Sequence, residues 1–133
     1  MSDSETKFSR DLFAGKTMLI VDDEESVRLF LERALKTFGC IVQSASNGED
    51  ALARFNENKN GFDAVVLDLG MPGMSGQTVM TKLREIRPEI KIILSSGQNS
   101  ADLEQYSDAT TFIPKPYKLN DLLCTLSSVL GSA

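Results

Sequence analysis

Short apolar runs alternate along this chain with stretches in which apolar residues recur every three or four positions. We interpret as strands the runs Thr17–Val21, Ile41–Ala45, Ala64–Leu67, Ile92–Leu94 and Thr111–Ile113. The third run is uniformly apolar, which is typical of a strand covered on both faces.

The stretches between the runs have the three-to-four spacing of helices. Helices are predicted at Val27–Phe38, at Gly48–Asn58, from a cap at Ser75 to a stop at Pro88, at Ala101–Ser107 and at Leu119–Leu130. The fourth of these is short and has a weak pattern. Gly39 follows the first helix directly, as glycine often does at helix ends.

Strands and helices that alternate across short connections predict an α/β fold with a parallel sheet covered on both faces. Residues 1 to about 14 show no sustained period and predict a flexible or loosely docked leader, which leaves 15–133 as one domain. In sheets of this kind, ligands bind beyond the carboxyl ends of the strands. We therefore expect the functional residues to lie at the carboxyl ends of the strands.

Composition narrows the class of protein. The chain has 133 residues, 41% of them hydrophobic and 25% charged, which fits one soluble domain. A net charge of -5 argues against nucleic-acid binding. No apolar run reaches the roughly 18 residues of a membrane span, and the polar N-terminus is unlike a signal peptide, so we expect a cytoplasmic location. The chain contains no histidine, which excludes imidazole chemistry by its own side chains.

Acidic residues follow two of the predicted strands. Asp22, Asp23 and Glu24 come after the first strand, and Asp68 ends the third. Carboxylates that converge at one edge repel one another, and a hard divalent cation such as Mg2+ relieves that repulsion. The alternative is that these acids only cap turns. Acids after two separate buried strands favour the cation site.

The other strand ends carry groups that suit a phosphoryl ligand. A glycine-rich loop runs from Asp68 to Gly76, and Ser96 precedes the small Gly97 after strand four. Lys115 stands between two prolines after strand five, on a stiff backbone, where its ammonium would balance the acids. An X-Pro bond in this turn is a candidate for the cis form. Taken singly, each feature also fits a solvated turn.

Five motifs in order, LIVDDEE, SNGEDAL, VVLDLGMPGMSG, IILSSG and FIPKPY, resemble the response regulator receiver domains of two-component signalling. The resemblance covers residues 17 to about 130. It implies a flavodoxin-like, doubly wound five-stranded parallel sheet with strand order 2-1-3-4-5.

The resemblance also implies a phosphoacceptor and a cation site. Asp68 would receive the phosphoryl group, which makes the domain a signalling module without an enzymatic output of its own, apart from self-catalysed phosphorylation and dephosphorylation. Mg2+ or Mn2+ would be held by Asp23, Asp68 and the backbone carbonyl of Gly70, with Asp22 acting through a water.

The remaining implied residues bind the phosphoryl group or respond to it. Ser96 would take the family's hydroxyl switch position and Lys115 would pair with the phosphoryl group, with Gly97 and Pro116 as accessory residues. Phe112 would change rotamer and alter the surface formed by the fourth predicted helix, strand five and the closing helix. A plain core aromatic is the alternative for Phe112.

The resemblance also implies partners, and the absence of histidine requires that the phosphoryl donor be another domain or protein. The phosphoryl donor would be a histidine kinase or a histidine phosphotransfer domain, and the signal would pass to a downstream output domain or protein. No nucleic acid or membrane is expected as a partner, and the family's phosphorylation-dependent dimer stays open. The resemblance leaves open a freestanding regulator, a domain of a larger regulator and the receiver of a hybrid kinase. LIVDDEE and LSSG look like receivers attached to hybrid histidine kinases.

Two other functions remain as alternatives. An aspartate-nucleophile phosphohydrolase would need a second aspartate two residues after the nucleophile, where this chain has Gly70. A degenerate receiver that only docks to partners is disfavoured because the acids and Lys115 are all present.

Three features depart from the family pattern. Gly70 has no side chain to shield or orient an attacking water. The span from Ser96 to Phe112 is shorter than usual by about one helical turn, which predicts a stunted fourth helix. Phe112 stands where tyrosine or histidine is common, and it lacks their polar tip.

Overall fold

The predicted strands form a single parallel sheet of five strands with helices on both faces. The computed structural model describes residues 10–58, 60–71, 73–97 and 111–131. The strands are β1 Thr17–Val21, β2 Ile41–Ala45, β3 Ala64–Asp68, β4 Lys91–Ser96 and β5 Thr111–Pro114. Their order is β2-β1-β3-β4-β5, which confirms the doubly wound order implied by the resemblance.

The described helices are α1 Arg10–Phe13, α2 Glu25–Thr37, α3 Gly48–Glu57, α4 Gly76–Ile86 and α5 Leu119–Leu130. Ser75 caps α4 as predicted, because its hydroxyl accepts the amide of Thr78 at 3.1 Å. The predicted helix at 101–107 lies outside the described residues. Within the described part of the chain, no helix is long and apolar enough to cross a membrane.

Alternate residues of each strand supply two hydrophobic cores, one on each face of the sheet. Met18 and Ile20 of β1 pack in the core that includes residues of α2 and α5. Leu19 and Val21 pack in the core that includes residues of α3 and α4. Both faces of β1 and β3 are therefore buried, so polar side chains lie at the ends of these strands.

The packed domain starts earlier than the sequence predicted. Residues 1–14 were expected to form a flexible or loosely docked leader, yet the end of this segment forms α1, and Phe13 is fully buried. The ring of Phe13 meets that of Phe38 edge-on, with centroids 5.6 Å apart. The amide of Gly15 also donates to the carbonyl of Gly39 at 2.9 Å. The end of the predicted leader is thus docked on the domain through Phe13, a lone buried aromatic that no period in the sequence reveals.

Candidate functional site

Three carboxylates converge beyond the carboxyl ends of β1 and β3. These strands are neighbours with Val21 paired to Leu67, so Asp22, which follows β1, lies beside Asp68, the last residue of β3. Asp22 and Asp68 are buried, whereas Asp23 is exposed. One oxygen from each of Asp22, Asp23 and Asp68 lies within 4.8 Å of the others. The predicted convergence is confirmed, and the group suits a hard divalent cation.

Lys115 reaches this acidic group from the turn after β5. Its Nζ donates to Asp22 Oδ2 at 2.9 Å and lies 3.4 Å from Asp68 Oδ2. The amide of Lys115 donates to the carbonyl of Ser96 at 2.8 Å, which anchors the turn to β4. The Lys115–Pro116 peptide is cis, as the sequence suggested for this turn. The ammonium therefore offsets the charge of the two buried acids.

The carboxyl of Asp68 is held by its own loop as well as by the lysine. The amide of Gly70 donates to Asp68 Oδ1 at 3.1 Å. Burial raises the pKa of Asp68 and the Asp22 charge raises it further, although the Gly70 amide and Lys115 act in the opposite direction. Burial also works against the charge of Lys115, but its bond to Asp22 and the nearby Asp68 outweigh burial and raise the lysine pKa.

Asp22 is bonded through its backbone as well as its side chain. Its amide donates to the carbonyl of Ala45 at 3.1 Å, and its Oδ1 accepts the amide of Glu24 at 3.0 Å. Its carbonyl accepts Nη1 of Arg28 at 2.7 Å. Sequence reasoning missed Arg28, because an arginine on a helix has no signal that distinguishes it from a solvated one.

The predicted switch residues lie on the two strands beside the acids. Ser96 is buried at the end of β4, and the place of a Cβ on Gly97 has no atom within 4 Å. Phe112 is partly buried against the core that includes Leu94. In the β3–β4 register, it is Ser95 that stands opposite Asp68. The roles of Ser96, Gly97, Phe112 and Pro116 stay predictions.

A cavity beside Lys115 was also missed from the sequence. It holds about 420 Å3 and lies between α2 and the turn after β5, with Phe30, Pro116 and Tyr117 in its lining. Phe30 lies within the helix that was predicted from its apolar spacing, but half of its surface is exposed. Burial raises the pKa of Tyr117 to about 12. An apolar recess therefore adjoins the acidic group.

Comparison with known proteins places the chain in a family. The model of the response regulator receiver domain matches residues 18–127, which is most of the chain. The chain therefore belongs to the response regulator receiver domain family, the phosphoacceptor modules of two-component systems. The acids after β1 and β3 and the lysine after β5 are the features that the resemblance implied.

Similar proteins include a sensor kinase and a response regulator. The chain is 37% identical over 123 residues to sensor kinase CckA of Brucella abortus, covering 90% of this chain and 13% of the kinase. The response regulator TrrA of Thermotoga maritima, solved in complex with Mg2+ and beryllofluoride, has a TM-score of 0.75 and 32% identity, covering 86% of this chain and 98% of that one. TrrA in complex with histidine kinase ThkA gives a TM-score of 0.77 and 31% identity over the same shares.

The chain spans only part of the curated relatives that it matches, from 13% to about half of their length.

Proposed function

We propose that Asp68 is the phosphoacceptor of this receiver domain. The observation that carries the proposal is the contact of Lys115 with both Asp22 and Asp68, in a group that also includes Asp23. In this arrangement the buried Asp68 carboxylate lies next to the Lys115 ammonium and to the amide of Gly70, at the carboxyl ends of the strands. Phosphoryl transfer needs such positioning and charge compensation more than covalent help from the protein.

A divalent cation, Mg2+ or Mn2+, completes the proposed site. The donor set fits, since Asp22, Asp23 and Asp68 each offer an oxygen within 4.8 Å of the others. Asp23 and Asp68 would hold the ion with the Gly70 carbonyl, and Asp22 would act through a water. When bound, the ion supplies neutralising charge for the phosphoryl oxygens.

The transfer step starts from a phosphohistidine on a partner. A carboxylate oxygen of Asp68 attacks phosphorus in line, so that an O–P bond forms as the N–P bond breaks. The departing imidazole keeps the electron pair of the broken N–P bond and takes up a proton from the medium. Lys115 then pairs with the new phosphoryl oxygens, and the Ser96 hydroxyl donates to one of them.

Movement of Ser96 would transmit the change to the surface. Phe112 lies partly buried on the strand next to Ser96, and it would turn inward when that hydroxyl moves. The rotamer change would alter the surface of β5, α5 and the fourth predicted helix, where an output domain or protein would bind. This is a local electrostatic event that biases a two-state element.

The donor histidine must come from a histidine kinase or a phosphotransfer domain, because this chain has none. The similarity to CckA favours a receiver attached to a hybrid kinase. The exposed ring of Phe30 and the cavity beside Lys115 offer an apolar surface for the donor. The cytoplasmic location expected from the sequence stays a prediction.

We propose no enzymatic output for this domain beyond its own phosphorylation and dephosphorylation. A phosphohydrolase of the aspartate-nucleophile class needs a general acid two residues after Asp68, and Gly70 has no side chain to supply a proton. Multiple turnover of a simple phosphomonoester would support the phosphohydrolase instead.

The acceptor is tested with a small phosphodonor. The wild-type chain is incubated with phosphoramidate and Mg2+, and its intact mass is measured. We expect the mass of one phosphoryl group in the wild type and in the control Asp50→Asn, and no gain in Asp68→Asn. Equal labelling of Asp68→Asn would contradict the proposal.

A further inference from the structure

Arg28 on α2 reaches back to the backbone that joins two of the acids. Its Nη1 donates to the carbonyl oxygen of Asp22 at 2.7 Å, in a partly buried contact. β1 ends at Val21, where its paired register with β2 and β3 also ends. The carbonyl of Asp22 therefore lies beyond the strand ladder and takes its donor from a side chain.

With this bond, both backbone polar groups of Asp22 and both its carboxylate oxygens are engaged. The amide is paired with Ala45, and the two carboxylate oxygens accept from Glu24 and Lys115. The carbonyl belongs to the planar peptide unit that links Asp22 to Asp23. Fixing this carbonyl thus fixes the direction in which the chain enters Asp23, whose exposed side chain has less packing to orient it.

We infer that Arg28 is a positioning residue for cation binding, an inference that rests on the proposed function. It holds the Asp22–Asp23 peptide so that the Asp23 carboxylate faces Asp22 and Asp68. The guanidinium acts through the backbone and does not touch the ion. Replacement of a residue that orients a metal ligand without contacting the metal typically changes metal affinity by about 10- to 100-fold.

The sign of the effect separates this role from simple electrostatics. A guanidinium near three carboxylates repels an incoming cation, so loss of its charge alone would tighten cation binding. Loss of a positioning bond would weaken it. Replacement of Arg28 by an uncharged residue therefore gives opposite results under the two accounts.

Mg2+ affinity of the whole chain, measured by isothermal titration calorimetry, tests the inference. We expect Arg28→Met to weaken Mg2+ binding by about tenfold and Arg28→Lys, which keeps a charged donor, to restore part of it. Arg33→Met is the matched control, since Arg33 is an exposed residue of the same helix, and it should bind Mg2+ as the wild type does. If Arg28→Met binds Mg2+ equally or more tightly, the inference is wrong.

Urea unfolding of the variants and Mg2+ binding by the wild type distinguish the possible outcomes. Urea unfolding of each variant shows that affinities are compared between folded proteins, and Arg28→Gln replaces Arg28→Met, with the same expectation, if the latter does not fold. Wild-type protein that binds no Mg2+ would overturn the proposed cation site and the role of Arg28 with it. Wild-type binding that Arg28→Met leaves intact would overturn the role of Arg28 alone.

Discussion

Lys115 Nζ lies closer to Asp22 than to Asp68, at 2.9 Å against 3.4 Å. The two bonded residues are 93 positions apart in sequence and follow β5 and β1, which are separated in the sheet by β3 and β4. Before phosphorylation the lysine is thus held mainly by Asp22, with Asp68 within reach. A phosphoryl group on Asp68 would add oxygens for the same ammonium, so the lysine is placed to change partners without moving its backbone.

Loss of this lysine should destabilise the metal-free protein. Lys115→Met leaves two buried carboxylates without their cation, which costs on the order of 3 kcal/mol in the free energy of unfolding at neutral pH. Mg2+ should recover part of that loss, because it supplies the missing charge. Urea unfolding with and without Mg2+ measures both effects, with the exposed Lys82→Met as control. An Lys115→Met protein as stable as the control without Mg2+ would show that the contact contributes little.

The raised pKa of Asp68 gives a pH-dependent prediction. Since burial raises this pKa above its usual value of 3.8, the group favours the folded state at pH values below 3.8. That contribution is lost as pH rises through the folded pKa. Asp68→Asn, which stays neutral and keeps an acceptor for Lys115, should therefore be more stable than wild type at neutral pH.

The stability advantage of Asp68→Asn should shrink as the pH falls from neutral through the raised folded-state pKa of Asp68, and it should reach its smallest value below 3.8. Urea unfolding of both proteins across this pH range, at low salt and without divalent cations, measures the difference. A difference that stays constant with pH, or grows towards acid pH, would contradict the account of Asp68 as a carboxyl destabilised by burial.

Gly70 should set the lifetime of the phosphorylated state. A Cβ at this position would lie 3.6 Å from Asp68 Oδ1, an ordinary contact, so a side chain fits beside the acceptor. Gly70→Met should exclude attacking water and slow hydrolysis by about two- to fivefold, which corresponds to a barrier increase of about 0.5–1 kcal/mol. Phosphate release from the phosphorylated protein measures the rate. A rate equal to or faster than that of wild type would show that water reaches the phosphoryl group by another path.

Gly76 should be needed for close packing under the acceptor loop. A Cβ there would lie 2.5 Å from Leu69 Cδ2 and 3.1 Å from its Cα, so the backbone next to Asp68 has to shift. We expect Gly76→Ala to lower the free energy of unfolding by about 1–3 kcal/mol. Gly97→Ala, with open space at its Cβ, is the stability control. Equal stability of the two variants would mean that the loop adjusts without cost.

The sequence predicted the sheet well because each strand contains a short apolar run and the three central strands are buried on both faces. The strands β1 and β2 match their predicted ranges, and β3 to β5 extend the predictions by one to three residues. The added residues lie outside the apolar runs: Asp68, Lys91, Ser95 and Ser96 are polar, and Pro114 ends β5. The convergence of the acids followed from the same pattern, because parallel strands carry their carboxyl ends to one edge.

The remaining features depend on tertiary contacts that leave no period in the sequence. Phe13 is buried by packing that includes Phe38, and Phe30 is exposed although it lies in an apolar stripe. Arg28 bonds a carbonyl, and any arginine one turn into a helix has the same local sequence signal. Such residues are identified only when the helix is placed against the strand ends.

Beryllofluoride binding tests the central claim most directly, since this group is a stable mimic of the phosphoryl group on a carboxylate. The protein is titrated with beryllofluoride in the presence and absence of Mg2+, and amide NMR signals at the strand ends are followed. We predict saturable shifts in the wild type that require Mg2+, and none in Asp68→Asn. A wild type without any response, or an Asp68→Asn protein that responds equally, would contradict the assignment of Asp68 as the phosphoacceptor.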